Sequence, residues 1–366
     1  MALREDRLPT IYDVAKRAGV SAGTASKALN GQGQLRVETK ARVLRAAAEI
    51  NYQPNSLARS ISQARKYTIG LLCADHFGRI SIPLIEGIDD VLSRTNISVF
   101  LCNAASDPVR EEQHLRALLS RRVDGIIVTA TKTDTREPVH VGHFKTPVVY
   151  AYSKTSDPSS YCVVPDDVQG GQIAVEHLLA IGRRRLAYIG GPSDSEAVHQ
   201  RLSGVRRALG AANLEMPDCR VLFGPWTSAW GDQAASRLFE LDSKVDGIVC
   251  ANDEIASGVL HSLRDNARQA PGDVSIVGYD NWEQFALATR PTLTTVDMRV
   301  RALGQEAARL LLQLIENPLA PPEAGVRTFL CSLVVRDSSL PNEREPSRGG
   351  KTVGRAPLEN QASKTD

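Results

Sequence analysis

Two sets of side chains in this 366-residue sequence have types and spacings that could do chemistry. The first is a run of short hydroxyls and cations near the N-terminus: Ser21, Thr24 and Ser26 with Arg17, Lys27, Arg36 and Lys40. Hydroxyls of this kind suit phosphate oxygens, and clustered cations release counterions from a polyanion. The second set lies where strand-like runs end in polar residues. Gly247–Cys250 runs into Asn252-Asp253-Glu254, Ser275–Tyr279 runs into Asp280-Asn281, and Arg201 follows a Gly190-Gly191-Pro192 turn. A carboxylate accepts hydrogen bonds, an amide both donates and accepts, and a guanidinium donates in a fixed fork, so this set suits a small polar ligand.

The elements that must carry these residues can be read from periodicity. Apolar residues at Ile11, Val14, Ala15 and Ala18, then Ala25, Ala28 and Leu29, then Val43, Leu44, Ala47 and Ile50 predict three short helices. Thr10 and Ser21 stand at N-cap positions, and Gly19-Val20 forms the turn between the first two helices. After Tyr67, strand-like runs at 69–73, 99–101, 125–129, 148–152, 186–189, 221–223, 247–250 and 275–279 alternate with helical stretches at 82–96, 110–120, 169–181, 198–212, 229–240 and 255–263. That alternation predicts βαβ units with parallel sheets. The series runs twice, before and after about Pro158, so two doubly wound lobes with a cleft between them are expected, and ligands of such sheets sit at the carboxyl ends of strands.

Bulk properties agree. A 42% hydrophobic, 23% charged chain of this length predicts two or three globular domains. Residues 1–66 carry a net charge of +7, which leaves −5 for the rest, an asymmetry that suggests a nucleic-acid-binding head on an acidic body. No run is long enough for a membrane span, and Met1–Pro9 lacks the apolar core of a secretory signal, so a cytoplasmic protein is expected. Cys73, Cys102, Cys162, Cys219, Cys250 and Cys331 are dispersed and read as buried free thiols rather than a disulfide or zinc framework.

The segment Thr10-Ile-Tyr12-Asp-Val-Ala-Lys-Arg17-Ala-Gly-Val-Ser21-Ala22-Gly23-Thr24-Ala-Ser26-Lys27-Ala-Leu-Asn30, followed by Asn51-Tyr52-Gln-Pro-Asn55-Ser-Leu57-Ala58-Arg59-Ser-Ile61, closely resembles the start of the LacI/GalR family of repressors, and the resemblance extends to about Val335. It implies an all-α helix-turn-helix head ahead of a two-lobed, periplasmic-binding-protein-like α/β body of doubly wound parallel sheets. The implied boundaries are 1–54 for the head, 55–66 for a hinge helix, 67–336 for the body with its effector site and dimer interface, and 337–366 for a disordered tail. The implied partners are double-stranded operator DNA, a sugar-like effector and a second copy of the chain, with no membrane, metal or cofactor. Base reading falls on Ala22, Gly23 and Lys27, of which Lys27 can reach guanine acceptors and Ala22 a thymine methyl. Thr10, Tyr12, Arg17, Ser21, Thr24, Ser26, Asn30, Tyr52, Asn55, Leu57, Ala58 and Arg59 complete the DNA-facing set, with Ile61 as an apolar wedge at the central base step. In the body the resemblance places effector contacts at Asp75, Arg201, Trp226, Asn252 and Asp280. Ala151 stands where some members carry an acidic residue. Effector binding would shift the lobes and so form or melt the hinge helices.

Two other readings compete with this one. A solute-binding protein of transport would share the body but needs export and has no use for a basic helical head. An enzyme on a doubly wound fold would need a site, and the sequence holds no Gly-rich phosphate loop, nucleophile elbow or paired metal-ligand histidines. His76 beside Asp75 reads as loop polarity.

Overall fold

The computed structural model describes residues 10–29, 35–50, 68–74, 78–93, 97–142 and 144–340. The head contains three helices: α1 (Ile11–Ala18), α2 (Ala22–Leu29) and α3 (Val37–Glu49). Their contact surfaces are almost all alanine and valine, with Val14, Ala15, Ala18, Ala25, Ala28, Val43, Ala46 and Ala47 buried together. Side chains this small let short helices pack closely. Gly19, at φ 63°, ends α1, with Val20 N–H donating to the Ala15 carbonyl at 3.0 Å, a left-handed C-terminal turn that glycine adopts without strain.

The chain divides into two units, residues 1–165 with 300–329, which include the head, and residues 166–299 with 330–366. In the first, β1 (Thr68–Cys73), α4 (Ser81–Leu92), β2 (Ser98–Asn103), α5 (Pro108–Ser120), β3 (Gly125–Thr129), the short β4 (Thr135–Arg136), β5 (Val148–Ala151), the short β6 (Lys154–Thr155) and β7 (Tyr161–Pro165) follow in order. In the second come α6 (Asp167–Ala180), β8 (Leu186–Gly190), α7 (Glu196–Ala211), β9 (Val221–Phe223), α8 (Ser228–Leu241), β10 (Gly247–Cys250), α9 (Asp253–Asp265), β11 (Ser275–Tyr279), α10 (Glu283–Ala286) and β12 (Thr294–Asp297). The chain then returns to the first unit for α11 (Val300–Glu316) and β13 (Gly325–Phe329), and to the second for β14 (Ser332–Val334). The sheet orders are β13-β7-β5-β3-β1-β2 and β14-β12-β11-β10-β8-β9, parallel throughout except that β14 runs antiparallel to β12. No helix among the described residues is long and apolar enough to cross a membrane.

Several sequence expectations change here. The lobes do not simply follow one another at Pro158: the first ends at Pro165 and is completed by α11 and β13 from far downstream. The tail does not begin at 337. Ser338 and Ser339 are buried, with Ser338 Oγ donating to the Ile276 carbonyl at 2.7 Å and accepting from Thr294 N–H at 2.8 Å, so the body runs to Leu340. Of the six cysteines, Cys219 is exposed and Cys102 half-buried, and the other four are buried; all are free thiols.

Helix packing in the second unit is set by reciprocal glycines. A Cβ at Gly204 of α7 would fall on the Val168 carbonyl oxygen of α6, and one at Gly171 of α6 would fall on the Arg201 carbonyl oxygen of α7. The helices thus meet backbone to backbone, which fixes where Arg201 stands. Gly204→Ala should destabilise the protein by about 3 kcal/mol, the upper part of the usual range for overpacking because backbone cannot step aside. Thermal unfolding of the variant beside an exposed control, Gly210→Ala, checks this, since Gly210 has open space around it.

Candidate functional site

In the head, the two caps expected from sequence are formed. Thr10 and Asp13 close a capping box, with Thr10 N–H donating to Asp13 Oδ2 at 2.8 Å and the Thr10 hydroxyl donating to the same oxygen at 2.6 Å. Ser21 Oγ accepts from Thr24 N–H at 3.1 Å and lies 2.9 Å from Thr24 Oγ1, so the Thr24 hydroxyl is engaged locally. With Ala25 and Ala28 turned into the core, Gly23 and Lys27 share the exposed face of α2, one turn apart. Tyr12, Arg36 and Lys40 are also exposed. Ala22 is instead half-buried and packed on the head core, which turns its methyl toward the fold and away from the role of a free thymine contact. Arg17 is exposed but pairs with Glu49 of α3 at 2.7 Å. Such a pair contributes at most about 1 kcal/mol, yet it commits this cation to α3 as well as to the surface. Asn30, Tyr52, Asn55, Leu57, Ala58, Arg59, Ile61 and Asp75 lie outside the described residues.

In the second unit, Trp226, Asn252 and Asp280 follow the carboxyl ends of β9, β10 and β11, and Arg201 of α7 reaches the Ala251 carbonyl beside Asn252. The order reverses between β8 and β10, where successive connections leave in opposite directions and such sheets open a crevice. Arg201 is buried. Its Nε donates to Asp167 Oδ1 at 2.8 Å, its Nη1 donates to the Ala251 carbonyl at 2.6 Å, and its guanidinium lies 3.7 Å over the Tyr279 ring. The Tyr279 hydroxyl donates to the same Asp167 oxygen at 3.0 Å. Asn252 caps α9, its Oδ1 accepting from Ile255 N–H at 2.7 Å, while its buried Nδ2 has no hydrogen-bond partner among the described residues. That amide is a donor lacking an acceptor.

Asp280 follows β11 at φ 105° and Asn281 at φ 52°, two successive non-glycine residues in the left-handed half of conformational space. Conformations of this kind cost about 1–3 kcal/mol each and persist only where the surroundings dictate them. Trp226 lies against Gly191, where a Cβ would come within 2.6 Å of the indole. Trp230 is held differently: its Nε1 donates to the Gly190 carbonyl at 2.9 Å and its ring covers Gly224, so it braces the turn. Trp282 packs on Phe285, ring centroids 4.9 Å apart.

Sequence reasoning missed Asp167 and noted Asp253 only as one of the polar residues that follow β10; these are the two carboxylates behind this edge. Each opens a helix, a position where the helix dipole favours an anion, and that was the available signal. Asp253 is fully buried, its Oδ1 accepting from the Thr295 hydroxyl at 2.6 Å and its Oδ2 from Trp282 N–H at 2.7 Å. Burial, then the negative charge of Asp280, push its carboxyl up to about 8, against the opposing pull of the Thr295 and Trp282 bonds and of Arg336.

The strand-end edge carries an amide donor, a carboxylate and an indole, and the head carries a capped helix with an exposed lysine on its outer face. A small helix-turn-helix head joined to paired doubly wound sheets defines a DNA-binding transcription regulator with a ligand-binding body. Comparison with known proteins agrees. Residues 10–55 match the family model described as bacterial regulatory proteins, lacI family, and residues 175–339 match a periplasmic binding protein-like domain. The chain is 30% identical over 318 residues to the HTH-type transcriptional repressor PurR of Mannheimia succiniciproducens, covering 86% of this chain and 95% of that protein. Among solved structures it is similar to a Lac repressor dimer bound to operator and the anti-inducer ONPF, with a TM-score of 0.75, 25% identity, and 91% of this chain and 100% of that one covered. It is also similar to a CelR–cellobiose complex, with a TM-score of 0.63, 29% identity, and 90% and 100% covered. The chain belongs to the lacI family of bacterial regulatory proteins, and the matched relatives are transcription regulators, not enzymes.

The Asp253 carboxyl gives this unit a pH dependence of stability. Its folded value is raised above the unfolded one, so the stability that its neutral form contributes is complete below the ordinary carboxylate range and is lost as pH rises through about 8. Between pH 5 and pH 9 the Tm of the wild type should fall further than that of Asp253→Asn, and equal falls would show that the carboxyl does not titrate there.

Proposed function

We propose that this protein is a homodimeric, cytoplasmic repressor that holds a specific operator through its head and is switched by a small sugar-like effector. The observation that carries the reading is the geometry of α2: a Ser21-capped helix with Ala25 and Ala28 buried beneath it and Gly23 and Lys27 exposed above. A helix so exposed fits the major groove, where Lys27 can reach the acceptors of guanine. The proposed layout is a head at 1–54, a hinge at 55–66 with Ile61 as its wedge, a body from 67 that ends at Leu340 rather than 336, and a tail beyond.

For the effector, the buried Asn252 Nδ2, the Asp280 carboxylate and the Trp226 ring supply a donor, an acceptor for paired hydroxyls and a face for C–H surfaces. The CelR–cellobiose complex supports a saccharide. Effector binding acts by favouring one of two states that differ in DNA affinity, a coupling of about 1–3 kcal/mol in typical cases. For the dimer, β2 is an edge strand with Val99, Phe100 and Leu101 all exposed, beside a groove of about 300 Å³ that also touches Ala117 and Arg121 of α5. Exposed apolar patches on edge strands mark association surfaces.

Three measurements test this. Against a duplex selected by the full-length protein from a random library, Lys27→Ala should lose about 10- to 100-fold in affinity and reduce the salt slope by about one; an unchanged slope would remove Lys27 from the interface. In a thermal-shift screen of D-glucose, D-ribose, cellobiose and lactose, at least one sugar should raise the wild-type Tm, and Asp280→Ala should abolish that rise while leaving duplex affinity within about threefold. Shifts from none of them would overturn the sugar reading. Phe100→Asp should sediment as a monomer and bind duplex weakly; a persistent dimer would place the interface elsewhere.

A further inference from the structure

We infer that Asp253 is a positioning residue for effector recognition, holding the Asp280–Trp282 turn in the one conformation that presents Asp280. The inference rests on the reading of Asp280 as an effector contact, but the turn itself can be observed without any ligand.

Asp280 and Asn281 both occupy positive φ without being glycine, conformations that cost free energy even for these residue types and that the surroundings help to hold. Asp253 supplies the hold from two directions. Its Oδ2 accepts the backbone N–H of Trp282 at 2.7 Å, closing the far end of the turn. Its Oδ1 accepts the Thr295 hydroxyl hydrogen at 2.6 Å, which leaves Thr295 Oγ1 oriented to accept the N–H of Asn281 at 3.2 Å. A single carboxylate therefore fixes two successive backbone amides, one directly and one through the threonine of β12. The near end is closed by the ladder itself, where Asp280 N–H donates to the Val296 carbonyl at 2.8 Å.

The carboxylate is tightly housed. Asp253 Oδ1 occupies the space above Gly278 that any β-carbon would claim, so β11 has been kept bare at the residue two before Asp280. The surrounding charges are Asp280 on the turn, Asp297 at the end of β12, whose Oδ2 accepts from Asn281 Nδ2 at 3.3 Å, and Arg336, whose Nη2 donates to Asn281 Oδ1 at 2.8 Å. Two of these three are anions, and burial opposes ionisation as well, consistent with the raised carboxyl described above. Both hydrogen-bond acceptors are nevertheless retained. An asparagine would keep one of them, accepting from Trp282 N–H through its Oδ1 while its amide faced Thr295, whereas an alanine would keep neither.

Hydrogen exchange of the full-length protein tests the assignment, read on a peptide spanning residues 278–286 with α6 and α7 peptides as controls. Asp253→Ala should speed exchange in that peptide at least tenfold with the controls unchanged, and Asp253→Asn should stay within about threefold of wild type. Unchanged exchange in Asp253→Ala, or equal loosening in both variants, would overturn the proposal. If Asp253→Ala does not fold, Thr295→Val carries the same local expectation, and its failure to loosen the peptide overturns the proposal equally. In parallel, each sugar that stabilises the wild type should bind Asp253→Ala at least tenfold more weakly and Asp253→Asn within about threefold; equal losses in the two variants would again overturn it. Should no sugar stabilise the wild type, the effector reading fails while the exchange result still decides whether Asp253 holds the turn.

Discussion

The second unit is organised around one buried ion pair, Arg201 with Asp167. Guanidinium and carboxylate are both taken out of water, and the desolvation is offset by the Ala251 carbonyl, the Tyr279 ring and hydroxyl, and the glycine contact that brings α6 and α7 together, while the buried Asp167 Oδ2 has no hydrogen-bond partner among the described residues. Removing one member of such a pair strands a charge and typically costs about 3–5 kcal/mol. The partners are also the residues just before the two proposed effector contacts. Ala251 precedes Asn252, and Tyr279 precedes Asp280, so a single guanidinium registers the ends of β10 and β11 at once. Arg201 thus serves the crevice first as the bolt that aligns it. This explains how a residue assigned to ligand contact by resemblance can be so deeply engaged by protein.

The same logic separates what could be read in advance from what could not. The caps at Thr10 and Ser21, the Gly19 turn and the alanine stripe are local, each fixed within a few residues, and the head was legible from them. The strands that lead to Asn252 and Asp280, and the helix that carries Arg201, were legible as well, the strands because buried parallel strands make short apolar runs bounded by turn residues. The helix Val300–Glu316 was overlooked although Val300, Leu303, Ala307, Leu310, Leu311 and Leu314 mark one face, and with it went the return of the chain to the first unit. β13 and β14 lie at sheet edges, half-exposed, and carry too little apolar signal to stand out. Asp167 was hidden, and Asp253 was visible without its role, for another reason: a buried carboxylate is recognised by partners far away in the chain, which no local pattern shows.

The head shows how a short motif can be right in type and still differ in detail. Its interior is so small that Ala22 is drawn into the packing, leaving Gly23 and Lys27 as the open positions on α2. Gly23 has no side chain to read a base with, and it weakens the helix by about 1 kcal/mol relative to alanine. In the proposed reading, direct contact by this face falls mainly on one long, flexible cation, which can seek guanine acceptors but fixes its geometry poorly compared with a planar fork. Sequence preference in such an arrangement has to draw on groove shape and on contacts to the sugar–phosphate backbone, for which the exposed Arg36 and Lys40 are placed.

The two body units share a strand order and even a turn: Tyr152 after β5 and Asp280 after β11 each take a positive φ and each donate a backbone N–H to the next strand over, at 2.8 Å to Val163 and 2.8 Å to Val296. The two turns differ in the side chain they display. In the first unit it is a buried tyrosine beside the buried Ala151, a neutral end to the strand. In the second it is a carboxylate, and a carboxylate in a strained turn needs a fastener that can tolerate a like charge. A buried acid at the first turn of α9 meets that need: burial and Asp280 push its carboxyl up to about 8, so it need not carry a second negative charge while it receives the Thr295 and Trp282 hydrogen bonds. The chemistry of the edge is therefore not set by the fold, which is common to both units, but by which residue stands at one left-handed position and by what has been buried behind it.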